Sequence, residues 1–542
     1  MRLWGIQWGF PLLLNADEPH SMNLAVSFGS GDLNPHLFKY PSLSLYLLFA
    51  VYGAAFVLWS GFGVLRSVAE FGHLYVWHPE LFALLGRLLA ATVSGAGLVC
   101  VARLARRPPE AGGSASLLPP LAAALLAVAP SLVASAHEVK PDSLMFCLSA
   151  LAWWQALRVL EGAGRAAYVW AGVFAGMAFS TQFTALPILA ALTLAHLLRH
   201  GKASLAGTAA VDLAAGLGAT AGGFLLGTPY ALLDHQAFFA GLRDHGVRAA
   251  RGSLGLFPLG VPFRFAGELS LAGPALAAGA WRLARTEPKR LLLLALPFAA
   301  WAAAMTGHHD NANFRYYFAC FPALALLSAT GLAWLLEGAR RLPAQALLVS
   351  AALAPGLWSS AAADRWLSLP DTRAVATRWI EENLPAGSAV LLDQAHASPN
   401  LRMLREQAED LQRRTAELGS PRATYYRMMA DSHPGGGYRL YRVKRTARDL
   451  VTNPSLLEKV QREGPFIDVS AGLEALRARG IRYVVTTSQG YVLDPSLSGL
   501  ERFVSELEAR GRVLARFEPE EGRSTGPSLR VYEVPEDTRK AR

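Results

Sequence analysis

The sequence predicts a mostly α, polytopic helical membrane protein that ends in a small α/β domain. Three observations predict it. Of 542 residues, 52% are hydrophobic and only 17% charged, against about 25% charged in ordinary soluble domains. Apolar runs of about 17 to 25 residues, enough to cross a bilayer as helix, recur as far as Ser359. After Ser360 charge density rises, apolar runs shorten, and helix-like and strand-like pieces alternate.

The spans expected from these runs are Leu81 to Val101, Leu117 to Ala136, Ser143 to Leu160, Leu205 to Leu226, Leu291 to Met305, Tyr316 to Leu336 and Ala344 to Ser359. Tyr168 to Leu198 is too long for one crossing and is interrupted at Ser180-Thr-Gln-Phe-Thr184, so two short helices meet there. Gly267 to Trp281 is a weaker span. Leu43 to Leu65 carries Tyr46, Tyr52 and several small residues behind Pro41, and reads as a helix in or dipping into the interface.

Lys and Arg collect at Arg103, Arg106 and Arg107, at Arg158 and Arg165, at Arg199 and Lys202, at Arg282, Arg285, Lys289 and Arg290, and at Arg340 and Arg341. Alternate loops carry them, as the positive-inside rule requires of cytoplasmic ones. The outer side then receives the Asp17 region, Ala136 to Asp142, Ala231 to Ala266, Gly307 to Arg315 and everything after Ser360. The net charge of +10 sets topology and meets anionic headgroups. A nucleic-acid role is excluded, because no basic stretch is interleaved with aromatics. Cys100, Cys147 and Cys320 fall inside spans and pack as small hydrophobes. No secretory signal peptide opens the chain, and no solenoid-length repeat is visible.

Two domains follow: 1–359, the membrane part with a first outer loop at 11–80, and 360–542, an outer α/β domain. In the second, helices are expected at Thr372 to Asn383, Asn400 to Leu418, Leu473 to Arg479 and Leu497 to Arg510. Strands are expected at Ala389 to Leu392, Ile481 to Thr487, Val513 to Phe517 and Leu529 to Val534. Gly435-Gly-Gly437 reads as a flexible loop, since no strand leads into it and no Gly-Lys-Ser/Thr follows.

The outer loops hold the chemistry. Asp17 and Glu18, flanked by Asn15 and His20, are either solvated carboxylates or a general base whose pKa is raised by low-dielectric walls. His137, Glu138, Lys140 and Asp142 crowd a short turn between spans, where ionisable groups are costly unless used. Asp142 also sits where it would cap the following helix, and Lys140 would pair with Glu138 or bind an anionic headgroup. Arg315, ahead of Tyr316, either binds a phosphate bidentately or snorkels. His308, His309 and Asp310 invite a divalent-metal reading, although adjacent histidines on one loop match no known ligand spacing. Gln182 and Thr184 interrupt a span where backbone groups need partners.

The order of these pieces resembles the bacterial polyprenyl-phosphate-sugar-dependent glycosyltransferases of the GT-C fold, glycosyltransferase family 39. That group is related to protein O-mannosyltransferases and lipid A aminoarabinose transferases. The resemblance runs from Gly5 to about Gly387. It rests on Asn15-Ala-Asp-Glu-Pro19, Tyr40-Pro-Ser-Leu43, Arg87-Leu-Leu, His137 to Asp142, Ser180 to Ala185, Gly227-Thr-Pro-Tyr-Ala-Leu-Leu-Asp234, Phe314-Arg-Tyr-Tyr317, Asp371-Thr-Arg and Trp379-Ile-Glu-Glu-Asn-Leu-Pro-Ala-Gly387. Gln182 stands where relatives often carry Lys. Such enzymes carry a transmembrane helix ahead of the acidic loop, so with sixteen residues before Asp17 this chain is expected to lack that helix or to begin upstream.

The resemblance implies an inverting, hexosyl- or pentosyl-transferring enzyme of the bacterial cytoplasmic membrane, working on its outer face. The donor is a polyprenyl-phosphate sugar; a glycan, lipid or protein supplies the acceptor hydroxyl, and membrane lipids surround it. By carry-over Asp17 deprotonates the acceptor and Arg315 stabilises the leaving phosphate, with Glu18, Lys140, Asp142, His137 and Tyr316 as further candidates around sugar and phosphate. The alternatives are a transporter or lipid flippase, for which Asp212 is the best intramembrane carboxylate, and a non-catalytic scaffold binding through its outer domain.

Overall fold

The computed structural model describes residues 1–15, 17–106, 113–249, 268, 272–307, 313–339, 341–393, 397–444, 454–490 and 500–535. The calls on Arg107, Arg340, His308, His309 and Asp310 lie outside them. Contacts divide the chain into two compact units: Met1–Ile6, Asp17–Ala54 and Leu84–Arg365 in one, and Gln7–Ala16, Ala55–Ala83 and Trp366–Arg542 in the other. Residues 7–16 and 55–83 thus group with the later part of the chain.

Among the described residues 7 helices are long and apolar enough to cross a membrane: Leu43–Gly61, Pro79–Leu104, Asp142–Leu160, Phe183–Ala203, Gly207–Gly227, Phe321–Gly338 and Leu342–Leu367. Leu43–Gly61, expected to lie in the interface, meets that criterion with 19 residues. Shorter helices, Arg165–Phe179, Ala272–Thr286 and Pro288–Ala304, fill the gaps. The protein is a multi-pass membrane protein.

One expected span is broken for a local reason, and one long run divides where expected. Leu117 to Ala136 becomes Leu118–Ala127 and Pro130–Ser135, because Pro130 lacks an N–H and drives Ala129 to ψ 117°. The carbonyls freed there need donors in a water-poor setting. Arg2 supplies them to Leu126 and Ala127, and the Ser360 hydroxyl donates to Val128. Arg165–Phe179 and Leu186–His200 meet at Ser180-Thr-Gln-Phe-Thr184, as the sequence suggested. The Leu43 N–H donates to the Ser180 carbonyl (3.1 Å), and the Ser180 and Thr228 hydroxyls are 2.6 Å apart.

Phe321–Gly338 is the most enclosed span, with 78% of its apolar window buried. Its Gly331 faces Ala275 and Gly279 of Ala272–Thr286: a Cβ on Gly331 would strike the Ala275 carbonyl oxygen, and one on Gly279 the Leu327 carbonyl oxygen. Small residues four apart let two backbones close up where apolar lipid supplies no hydrophobic drive. Gly172 and Gly176 do the same against Gly216 and Thr220.

The second unit holds a six-stranded sheet of order β3-β2-β1-β4-β6-β5. Its strands are β1 Ala389–Leu392, β2 Arg439–Val443, β3 Phe466–Ile467, β4 Tyr483–Thr487, β5 Arg512–Phe517 and β6 Leu529–Glu533. The first four run parallel, while β6 pairs antiparallel with β4 and β5. Alternate side chains feed two cores, Leu391 and Val484 packing with Phe503 and Leu507, and Val390, Leu392 and Val485 with Ala376 and Ile380. Sequence reading missed β2, β3 and the helix Arg422–Asp431. Val68–Trp77 belongs to the same unit; Trp77 Nε1 donates to Ser432 (2.9 Å) and its ring meets His433 edge-on.

Gly331→Leu forces a side chain into opposing backbone, and the expected outcome is a loss of about 1–3 kcal/mol or failure to assemble. Gly218→Ala, which meets nothing within 4 Å, is expected to unfold at or slightly above the native temperature; fluorescence-monitored melting in detergent checks both.

Candidate active site

Asp17 ends the turn that starts helix Glu18–Ser27, and its side chain makes no capping bond. The carboxylate instead turns toward cations from three other parts of the chain. Lys39 Nζ donates to Oδ1 at 2.8 Å, Lys140 Nζ lies 3.4 Å from Oδ2, and Arg315 Nη1 lies 3.9 Å from Oδ2. Burial pushes Asp17 upward, but the Lys39 hydrogen bond and the charges of Lys39, Lys140 and Arg315 outweigh it and hold it down at about 2. Of the two readings open from sequence, the low-dielectric walls do not prevail: the surrounding cations favour the ionised carboxylate. His20, on the next turn, is lowered to about 4 by burial and by Lys39.

Around this centre the other charges cancel in pairs. Lys140 meets Glu138 at 2.9 Å; at Lys140 the opposing charges outweigh burial and raise its pKa, whereas at Glu138 burial outweighs the pairing and raises it too. Arg315 Nε lies 3.3 Å from the buried Asp142 Oδ1, and its Nη2 donates to the Tyr40 hydroxyl at 3.1 Å. Asp142 opens Asp142–Leu160 without a capping hydrogen bond, so its use is electrostatic. Tyr316 stacks its ring 5.7 Å from the Arg315 guanidinium, and its carbonyl accepts from Trp301 Nε1.

Glu18 and His137 serve elsewhere. Glu18 is fully buried, takes two hydrogen bonds from Arg87 (Nε 2.8 Å, Nη2 2.7 Å) and accepts from the Val139 N–H at 3.0 Å. Arg87 also donates to the Ile6 carbonyl. Glu18, expected near the substrate, has both oxygens enclosed, and its bonds join the chain next to Asp17 to Val139, one residue before Lys140. His137 is equally enclosed, its ring nitrogens each 2.8 Å from the Val133 and Trp4 carbonyls and Nε2 3.7 Å from Asp364. It braces the turn and does not face the cations.

Lys39 and Tyr40 were overlooked as site residues. The signal was a basic residue, an aromatic and Pro41 directly ahead of an apolar run, a pattern that places an amine at a membrane surface. Asp212, the intramembrane carboxylate of the transporter reading, is tied to Arg165 at 2.7 Å. Among the described residues no group of His, Cys, Asp and Glu is arranged to hold a metal. Lys140 also lines a small cavity whose other walls include Leu45, Leu48, Leu89, Val93 and Leu144.

Lys39, Lys140 and Arg315 gather on Asp17 at the start of a loop helix, and the helical membrane bundle around them has the GT-C fold that the motifs resembled. Residues 79–220 match the family described as dolichyl-phosphate-mannose-protein mannosyltransferase. ArnT from Cupriavidus metallidurans in the apo state superposes with a TM-score of 0.55 at 15% identity, over 98% of this chain and 97% of that one. ArnT from the same organism bound to undecaprenyl phosphate gives 0.53 at 15% identity, again over 98% and 97%. Comparison with curated protein sequences gives no match.

Arg87→Met strands a buried carboxylate, and the expected cost is about 3–5 kcal/mol in thermal unfolding, partly recovered in the Arg87→Met/Glu18→Gln double variant. Because folding lowers the Asp17 pKa to about 2, its contribution to stability is complete above about pH 4 and fades as pH falls toward 2. Melting curves across that window are expected to show an acid-side loss that Asp17→Asn reduces.

Proposed function

We propose that this protein transfers a sugar from a polyprenyl-phosphate carrier to an acceptor hydroxyl at the outer face of the bacterial cytoplasmic membrane. The observation that carries the reading is the convergence of Lys39, Lys140 and Arg315 on one carboxylate, with Lys140 also lining a small, largely apolar cavity. A lipid phosphate is the ligand such an arrangement suits. Its oxygens match the Arg315 fork and the two ammonium groups, while Leu45, Leu48 and Leu89 offer its isoprenoid tail an apolar wall. The undecaprenyl phosphate bound to ArnT is a lipid of this kind.

The acceptor oxygen attacks the anomeric carbon, the bond from that carbon to the phosphate oxygen breaks, and the electron pair leaves with the polyprenyl phosphate. Charge on that phosphate rises as the bond breaks, so preorganised cations lower the barrier most where they are closest. The acceptor proton goes to Asp17. A carboxylate held near 2 is a poor base, yet its low value comes from the cations that the donor phosphate engages. Once an anion shares Lys39, Lys140 and Arg315, their pull on Asp17 weakens and its proton affinity rises. The site arms its base only when the donor is in place. Backside attack gives inversion.

Transfer of radiolabelled sugar from a panel of polyprenyl-phosphate sugars in membranes tests this. Asp17→Asn is expected to lower transfer by about 10²- to 10⁴-fold, the range of a lost general base. Arg315→Lys, which keeps charge but loses the planar fork, is expected to fall less. Equal transfer by Asp17→Asn and the native chain would overturn the assignment of the base.

A further inference from the structure

The stretch Gly227-Thr-Pro-Tyr-Ala-Leu-Leu-Asp234 takes no part in the reaction above, yet its polar atoms face the loop that carries Lys39 and Tyr40. At one end of that loop, Asn34 Nδ2 donates to Asp234 Oδ2 at 2.8 Å. At the other, the Ser42 N–H donates to the Thr228 hydroxyl at 3.2 Å. The two anchors stand eight residues apart on the loop and six apart on the stretch, so they close a ring whose loop side carries Lys39 and Tyr40.

Each anchor is itself held. Asp234 Oδ1 accepts from the Ala237 N–H, tying it to the start of His235–Ala249. Thr228 shares a 2.6 Å hydrogen bond with Ser180 at the helix break, and Gly227 has no room for a side chain because Leu43 Cβ and the Ser180 hydroxyl press against it. Between the anchors Phe38 is fully buried and packs edge-on to Phe238 at 5.4 Å, while Gly241 backs onto the Phe38 carbonyl. On the loop side, the His36 N–H donates to Asn34 Oδ1, and His36 Nε2 sits 2.8 Å from Asp32 Oδ2. His36 has φ +52°, a left-handed backbone that few non-glycine residues adopt and that surrounding contacts must sustain.

We propose that Gly227–Asp234 is a clamp, and that Asp234 and Thr228 are positioning residues that hold the Lys39 amine on Asp17 and the Tyr40 hydroxyl on Arg315. The consequence rests on the phosphate reading above; the clamp itself does not. Lys39 is the cation nearest Asp17, and a lysine side chain on a loose loop loses rotamer freedom each time it engages an anion. Anchoring both ends beforehand lowers that cost, which is preorganisation.

The clamp is tested on the full chain in detergent by hydrogen exchange of the peptide covering 31–42, with Asp234→Ala and, from the loop side, Asn34→Ala. Exchange there is expected to rise by about tenfold or more while Phe321–Gly338 stays protected. Asp234→Asn, which keeps one acceptor oxygen and can therefore serve Asn34 or Ala237 but not both, is expected to restore part of the protection. Unchanged exchange at 31–42 in both alanine variants would overturn the clamp, whatever happens to lipid binding.

The consequence is read by titrating undecaprenyl phosphate. Lys39→Met and Asp234→Ala are each expected to raise Kd by about tenfold, and the double variant by no more than the larger single loss, because both act through one amine. Losses that multiply would show Asp234 acting independently of Lys39 and would overturn its positioning role. Faster exchange in Asp234→Ala together with an unaltered Kd in Lys39→Met would leave the clamp standing and remove Lys39 from the phosphate site.

Discussion

Glu18 and Arg87 exchange two hydrogen bonds with neither side chain open to solvent, and the site depends on that pair. A buried carboxylate and guanidinium are tolerated only when each satisfies the other and the remaining valences find partners. Here the remaining valences reach the Val139 N–H and the Ile6 carbonyl. Four separate pieces of chain therefore meet at one point: residue 6, the start of Glu18–Ser27, the helix Pro79–Leu104 and the turn at 137–141. Asp17 and Lys140 are chain neighbours of two of those contacts, so their separation is set by bonds that neither makes.

Electrical neutrality is the second constraint. Ionisable groups against an apolar bundle are expensive singly, and each here is matched: Lys39 with Asp17, Lys140 with Glu138, Arg315 with Asp142. A cluster balanced in this way is also responsive, because an incoming anion competes for partners already in use. The depressed pKa of Asp17 and the expected capture of a phosphate are two sides of the same arrangement.

Much of the architecture was legible in the chain. Apolar run lengths located the long spans other than Leu43–Gly61, which was read as interfacial, and the polar interruption Ser180-Thr-Gln-Phe-Thr184 marked the break between two short helices. Asp17, Lys140, Asp142 and Arg315 were named from residue type and loop position, and they do converge. Glu18 and His137 are enclosed among other partners for a geometric reason. Consecutive residues at a helix start point in different directions, so an acidic pair reads as one feature in sequence and becomes one partly buried and one fully buried carboxylate in space. Lys39 was passed over because 22 residues separate it from Asp17, and separation along the chain carries no information about distance.

Composition and periodicity by themselves determined that this protein spans a membrane with helices, carries an α/β domain after them, and places most of its ionisable groups outside the apolar runs. Those properties follow from local transfer energies and local backbone preferences, which a sequence records residue by residue. Which charges meet was decided only by tertiary structure: that Arg87 is spent on Glu18, that three cations share Asp17, and that Asp234 reaches Asn34 two hundred residues away. Electrostatics and close packing act through distance in space, and distance in space exists only once the helices have been packed.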